Sequence, residues 1–337
     1  MTDIKCNIMT DSDCDFTPEK VAATNITYTS FTYAEANKPD GGFHGVDDLF
    51  QSISAADFYQ AMRDGAAPLT SQPSQADFIE KFQAAIDTGL PTVCLVMSSG
   101  ISGAWNGAMT ALRLMEEEAG KKLPIYIVDT GFTSTSLYLL VCEAIRRRDS
   151  GCTAEEIVKW AESAKYRVRT CFMVDSLDTL HHGGRIPKTV AVIAGGLDVK
   201  PLLGWNLDGS LKIMGVTRGR KKGIKKLLEY YEAHRDRAVY EQTPEEAEKA
   251  AAAGPLLTGA LPAPLVALGN ADCLDDSNRL GDKVHALDAD ARVDHPNIGP
   301  VICCHVGPGM MSCCFWGKDR REDPEKLGGK IRGVQGV

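Results

Sequence analysis

Four short clusters join hydroxyl residues or glycines to the end of an apolar run, where open α/β sheets bind their ligands. Thr70-Ser71-Gln72-Pro73-Ser74 stands directly ahead of an amphipathic segment. Ser74 suits a helix N-cap, which leaves Thr70 and Ser71 as hydroxyl donors to an anionic group. Met97-Ser98-Ser99-Gly100-Ile101-Ser102-Gly103 lies between a buried apolar run and a helix. Unpaired N–H groups and the positive end of a helix dipole meet at such a place, and small residues admit a ligand. Ser98, Ser99 and Ser102 are the candidate donors there. Gly183-Gly184-Arg185-Ile186 offers a guanidinium whose planar fork fits carboxylate or phosphate. Arg218 begins a basic run that reads either as a solvated helix start or as an anion-facing patch. His305, beside Gly307-Pro308-Gly309, reads either as a structural histidine closing an apolar strand or as a ligand contact.

Two further patterns fall short of known chemistry. Thr10-Asp11-Ser12-Asp13-Cys14-Asp15 starts like a calcium loop, but the glycine and closing glutamate are missing, so turn formation and capping account for it. Gly100-Ile101-Ser102-Gly103 approaches the hydrolase nucleophile elbow G-x-S-x-G, with its second glycine one place early. An enzyme reading nevertheless exists: Ser99 or Ser102, Asp129 and His305 follow the chain order of an α/β-hydrolase triad, which would suit a lipid ester. There is no G-x-x-x-x-G-K-[ST] loop for a nucleotide.

The elements that must position these residues alternate. Ile4–Ile8, a β-branched run from Ile26, Thr92–Met97 and Ile125–Val128 read as strands, the last two as buried parallel ones. Phe78, Ile79, Phe82 and Ile86 share a helical face behind Ser74, and a second helix runs from about Ala104 to Glu118. Strands alternating with helices of this length predict βαβ units and a mostly parallel sheet. After a helix from Thr153 to about Lys165, the second half supplies strands at Val168–Val174, Leu211–Val216, Leu265–Leu268 and Pro300–Cys304. It also supplies a helix carrying Ile224, Leu227, Leu228 and Tyr231. The stretch from Glu241 to Leu261 reads as a helix running into a proline-broken loop. These patterns predict an N-terminal α/β domain over 1–165, a C-terminal α/β domain over 166–317, and a charged, glycine-rich, disordered tail over 318–337.

Composition narrows the class. The 337 residues are 44% hydrophobic and 24% charged, enough apolar mass for a sizeable core. Lys+Arg 37 against Asp+Glu 45 gives a net charge of −8, which argues against nucleic-acid binding and against electrostatic attachment to an anionic membrane. Ala250–Ala271 and Asn297–Gly317 lack charges, but their prolines and glycines do not suit a membrane span. No secretory leader is read before Asp11, so a cytoplasmic location is expected, with at most transient membrane contact. The eleven cysteines include no C-x-x-C and read as reduced core residues, without metal.

Taken in order, the clusters resemble the DegV family of bacterial fatty-acid-binding proteins. The resemblance runs from Thr10-Asp11-Ser12 through the Thr70 and Ser98 clusters and Val128-Asp129-Thr130. It continues with Gly183-Gly184-Arg185-Ile186, Lys200-Pro201-Leu202-Leu203 and Asp208-Gly209, and closes with Ile298-Gly299-Pro300-Val301-Ile302 and the His305 turn. It implies two α/β domains with one long-chain fatty acid between them, carboxylate at the junction and acyl chain in an apolar tunnel. It implies no cofactor and no catalysis by the chain itself, which would present the lipid to a separate ATP-dependent fatty-acid kinase for acyl-phosphate formation in phospholipid synthesis. Carried across by position, Thr70, Ser71, Ser98, Ser99, Ser102 and His305 would hold the carboxylate. Arg185 and Arg218 would meet the carboxylate or acyl phosphate, or face the kinase. The chain departs from the family pattern at Gly103-Ala104, where many relatives carry Gly-Thr. The stretch Ala250–Pro264 and the tail after Gly317 match nothing in it.

Overall fold

The computed structural model describes residues 4–35, 38, 42–187, 198–236 and 265–322. The first half runs β1 (Asn7–Asp11), α1 (Pro18–Thr24), β2 (Thr27–Thr29), β3 (Thr32–Ala34), β4 (Gly45–Val46), α2 (Ala55–Arg63), β5 (Leu69–Ser71), α3 (Gln75–Asp87) and β6 (Thr92–Val96). It continues with α4 (Ala104–Ala119), β7 (Ile125–Asp129), α5 (Ser134–Asp149) and α6 (Ala154–Ala164). Strands pair in parallel, as the alternating pattern predicts, with the order β2-β1-β6-β7, and β4-β3-β5 form a small antiparallel sheet beside them. Every residue of β6 is buried, which is why its apolar run is unbroken. Ser74 and Asp77 close a capping box at α3, and Thr153 and Glu156 close another at α6.

The second half adds β8 (Val168–Met173), α7 (Asp178–His182), β9 (Val199–Trp205), β10 (Leu211–Arg218), α8 (Arg220–His234), β11 (Leu265–Ala267), α9 (Leu274–Leu287), β12 (Arg292–Asp294), α10 (Pro300–Val306) and β13 (Met311–Trp316). Its sheet has the order β10-β9-β8-β13-β11-β12 and is antiparallel except for β11 with β12. Helices α8 and α9 cover one face with their own apolar cluster, around Leu227, Tyr231, Leu280 and Phe315. The larger core is continuous between both sheets and is threaded by α5. Thirteen of the sixteen α5 residues are buried, charged ones included. Their charges are matched: Glu143 pairs with Arg146 and Arg147, and Arg148 donates to the carbonyls of Thr24 and Asn25.

Several expectations need correction. The first strand begins at Asn7 and runs directly into the acidic cluster, while Ile4 is exposed. Pro300–Val306 is a helix, so His305 sits on a helix and not at a strand end. A short apolar run has no readable period, and here proline takes the first helical position, where its missing N–H costs nothing. The charged segment after Gly317 is packed as far as Arg320, which is buried and donates to the carbonyls of Trp205 and Asn206. The stretch Glu241–Leu261 and residues 323–337 lie outside the described residues.

Two of the contacts that join the halves stand out. Asp15 accepts from the Gly299 N–H at 2.9 Å and Asp47 from the Val301 N–H at 3.2 Å, so two buried carboxyls of the first half cap the start of α10. The β9–β10 turn forms the second contact, with the Ser98 hydroxyl donating to the Gly209 carbonyl at 2.8 Å. Gly209 has φ +80°, and a Cβ there would stand 2.1 Å from Ser98 Oγ and 3.2 Å from Gly131 Cα. Gly209→Ala is expected to cost about 2 kcal/mol and to lower the melting temperature by several degrees; an unchanged denaturant midpoint would refute the latch.

The capping carboxyls also set a pH dependence. Burial, outweighing the hydrogen bonds they accept, raises Asp15 to about 7 and Asp47 to about 8. In the unfolded chain both ionise near pH 4. The folded form therefore holds extra protons between these limits, and their contribution to stability declines as pH rises through 7 to 8. Melting should be higher at pH 5.5 than at pH 8.5, with a shallower dependence in Asp47→Asn. Equal melting temperatures at both pH values would show that these carboxyls stay charged in the fold.

Candidate functional site

A cavity of roughly 620 Å³, its open mouth included, lies between the two sheets. Phe31, Met97 and Ile101 wall it from the first half, and Phe172, Trp205 and Leu211 from the second sheet. Helix α10 contributes Val301, Ile302, His305 and Val306, and the start of α5 contributes Thr133 to Ser136. Its largely apolar lining suits an organic ligand with a long apolar part.

One end is built for an anion. Strand alternation turns Thr70 toward the cavity and leaves Ser71 exposed on the other face of β5. Thr70 Oγ1 lies 2.8 Å from His305 Nε2, and His305 is 8% exposed. Burial, with the positive charges of Arg185 and His182 adding to it, pushes His305 down to about 3, so its imidazole is neutral at physiological pH. Nδ1 has no hydrogen-bond partner. A buried orphan N–H is dearer than an orphan lone pair, so the proton belongs on Nε2, donated to Thr70. The Thr70 hydroxyl proton is thereby free for a ligand.

Arg185 stands beside this pair. Its Nε donates to the Ile101 carbonyl at 3.1 Å and its Nη1 to the Gly183 carbonyl. Among the described residues no carboxylate forms a salt bridge with it, and burial lowers its pKa, with the charge of Asp13 opposing. Gly183 is required here because a Cβ would stand 2.0 Å from His305 Nδ1. Ser102 also lines the cavity; its oxygen accepts from the Ala104 N–H at 3.2 Å and its proton remains available.

Thr70, Ser102, Arg185 and His305 thus come together, and the other four candidates do not. Ser71 is exposed. Ser98 is fully buried and spent on the Gly209 latch. Ser99 is exposed and bound to Asp129 through both its hydroxyl and its N–H. Arg218 is exposed at the opposite end of β10 from Leu211, seven residues and roughly 23 Å along the strand from the residue that lines the cavity. The triad reading fails on the same geometry. Asp129 holds Ser99, His305 holds Thr70, and among the described residues no carboxylate orients the imidazole.

Sequence reasoning missed the hydroxyls at the start of α5 and their partners. Thr135 pairs with Ser312 at 2.8 Å and Ser136 with Thr170 at 2.7 Å, while Trp205 Nε1 donates to Ser136 and Ser134 donates to Asp15. The available signal was Thr133-Ser134-Thr135-Ser136 just beyond the β7 strand end, the same position that singled out the Ser98 cluster beyond β6. Among the described residues no group of His, Cys, Asp or Glu is placed to hold a metal, and no helix is long and apolar enough to cross a membrane. Nine of the eleven cysteines are buried, and none is disulfide-bonded.

Comparison with known proteins places the chain. A family model described as "Uncharacterised protein, DegV family" matches residues 5–253. A DegV domain-containing protein of Clostridium perfringens is 30% identical over 315 residues, covering 92% of this chain and 97% of its own. A solved stearic-acid-binding protein from Eubacterium ventriosum superposes with a TM-score of 0.73 at 24% identity, covering 94% of this chain and 99% of its own. The Fak B3 protein of Streptococcus pneumoniae fatty acid kinase, solved loaded with linoleic acid, also gives 0.73, at 17% identity, covering 94% of this chain and 100% of its own. In fold and in sequence alike, this chain belongs to the DegV family.

Proposed function

We propose that the chain binds one long-chain fatty acid in the cavity between its two sheets and presents it to a separate ATP-dependent fatty-acid kinase. The observation that carries this reading is the unpaired Arg185 guanidinium beside neutral His305 and Thr70, at the polar end of an otherwise apolar cavity. A buried carboxylate needs several donors at once, and Arg185 Nη2, the Thr70 hydroxyl and the Ser102 hydroxyl supply them. The acyl chain then lies along Phe31, Met97, Phe172, Trp205 and Met310, gaining about 0.8 kcal/mol per buried CH₂. Arg218, outside the cavity, faces the kinase. The chain makes and breaks no covalent bond, needs no cofactor, and works in the cytoplasm with membrane contact only during lipid exchange. Stearic-acid binding by the related Eubacterium protein and the linoleic acid loaded in the Streptococcus structure support the ligand class, and the Fak B3 relationship supports the kinase partner.

Native mass spectrometry of the purified chain should show a one-to-one adduct of fatty-acid mass. An apo mass that stays unchanged after adding palmitate and oleate would overturn the assignment. Arg185→Ala should weaken palmitate binding about tenfold or more and slow acyl-phosphate formation with a partner kinase, whereas Arg218→Ala should leave affinity unchanged. Equal affinity in Arg185→Ala and the parent chain would remove Arg185 from the site.

A further inference from the structure

Four carboxyls are buried around the turn after β1: Asp11, Asp13, Asp15 and Asp47. Three accept backbone or hydroxyl protons within the fold. Asp11 accepts from the Met97 N–H at 2.8 Å, Asp15 from Ser134 and Gly299, and Asp47 from Leu49 and Val301. Asp13 differs. It is 0% exposed and lines the cavity, and the donor that bears on it, the Thr133 hydroxyl facing the same space, makes no well-formed hydrogen bond to either oxygen. Buried carboxyls without a well-formed hydrogen bond are rare in native folds, and the cavity that Asp13 lines is a side from which a ligand can reach it.

We infer that Asp13 is a further ligand-binding residue, a neutral carboxyl that donates its proton in a hydrogen bond to the carboxylate of the bound lipid. This rests on the fatty-acid reading and sharpens it. The groups that bear on Asp13 are the carboxyls of Asp11, Asp15 and Asp47, the thiols of Cys14 and Cys304, the neutral imidazole of His305 and the cation of Arg185. Burial first, and then the charges of Asp11, Asp47 and Asp15, hold Asp13 well above the usual carboxylate range, with the Thr133 hydroxyl opposing. The charge of Asp13 is felt at Arg185, so the two groups share the polar end of the cavity. One anion can serve as the Arg185 counter-ion. If Asp13 ionised, it would compete with the lipid for that role and repel it; kept neutral, it adds a short charge-assisted O–H···O⁻ bond to the same carboxylate. The proton stays on Asp13 while the ligand is bound, and its loss to solvent at higher pH weakens binding.

The test is a fluorescence titration with cis-parinaric acid from pH 5.5 to 9 on the parent chain, Asp13→Asn and Asp15→Asn. Affinity of the parent should fall above the Asp13 titration, by up to about tenfold per pH unit, the slope of a single linked proton. Asp13→Asn keeps a donor but cannot ionise, and should lose that fall, while Asp15→Asn should retain it. A second measurement needs no variant: the ¹³C shift of carboxyl-labelled palmitate bound to the parent chain should move over the same pH range. The same fall in Asp13→Asn as in the parent, or a bound-carboxyl shift independent of pH, would overturn the role of Asp13 and leave the fatty-acid reading standing. Failure of the parent chain to bind the acid at any pH would instead sink that reading.

Discussion

Asp15 and Asp47, from the first half of the chain, accept the first N–H groups of a helix that lies more than 250 residues further on, and the cavity exists because of that crossing. Each side solves the other's problem. A buried carboxyl needs donors, and a buried helix start has N–H groups that no carbonyl can reach. Tyr59 adds a third tie, donating to the Ile298 carbonyl at 2.7 Å just ahead of the helix. With its start fixed, α10 turns Val301, Ile302 and Val306 into the cavity and sets His305 against Thr70 of the opposite half.

The walls show how a cavity containing many hydroxyls can still receive an apolar chain. Thr135 with Ser312 and Ser136 with Thr170 satisfy one another, so they present their carbon faces and make no demand on a ligand. Along the cavity, unmet hydrogen-bonding capacity gathers at one end, on Arg185, the second nitrogen of His305, the hydroxyls of Thr70, Ser102 and Thr133, and Asp13. Position along the cavity is thus specified by a few unsatisfied atoms, and length by packing.

What the sequence made legible follows from how local each signal was. The parallel character of the first sheet could be read because β6 and β7 are short apolar runs between amphipathic helices, whereas its strand order could not. The DegV resemblance rested on clusters in fixed order and agrees with the family match. The site was only half legible. Thr70 and Ser71 are neighbours of one chemistry, and only pairing of β5 with β3 decides which one faces inward. Ser98, Ser99 and Ser102 look equivalent in one dimension. In three, one latches a turn, one binds Asp129 and one reaches the cavity. Asp13 was read as part of an acidic turn because nothing local distinguishes it from Asp11 and Asp15. The distinction lies in which of the three finds a backbone N–H from a distant segment.

The order of strands in the second sheet bears on how the protein is made. β13 pairs with β8 on one side and β11 on the other, so residues 311–316 form the middle of the sheet and not its rim. A nascent chain that has left the ribosome only as far as residue 310 has β8 and β11 with facing edges unpaired and the α5 helix without its second apolar wall. The first parallel sheet can close as soon as β7 emerges, about 180 residues earlier. Synthesis therefore passes through a long interval in which a finished first sheet carries an open, apolar second one, and that interval is where a cell would have to guard this chain against aggregation.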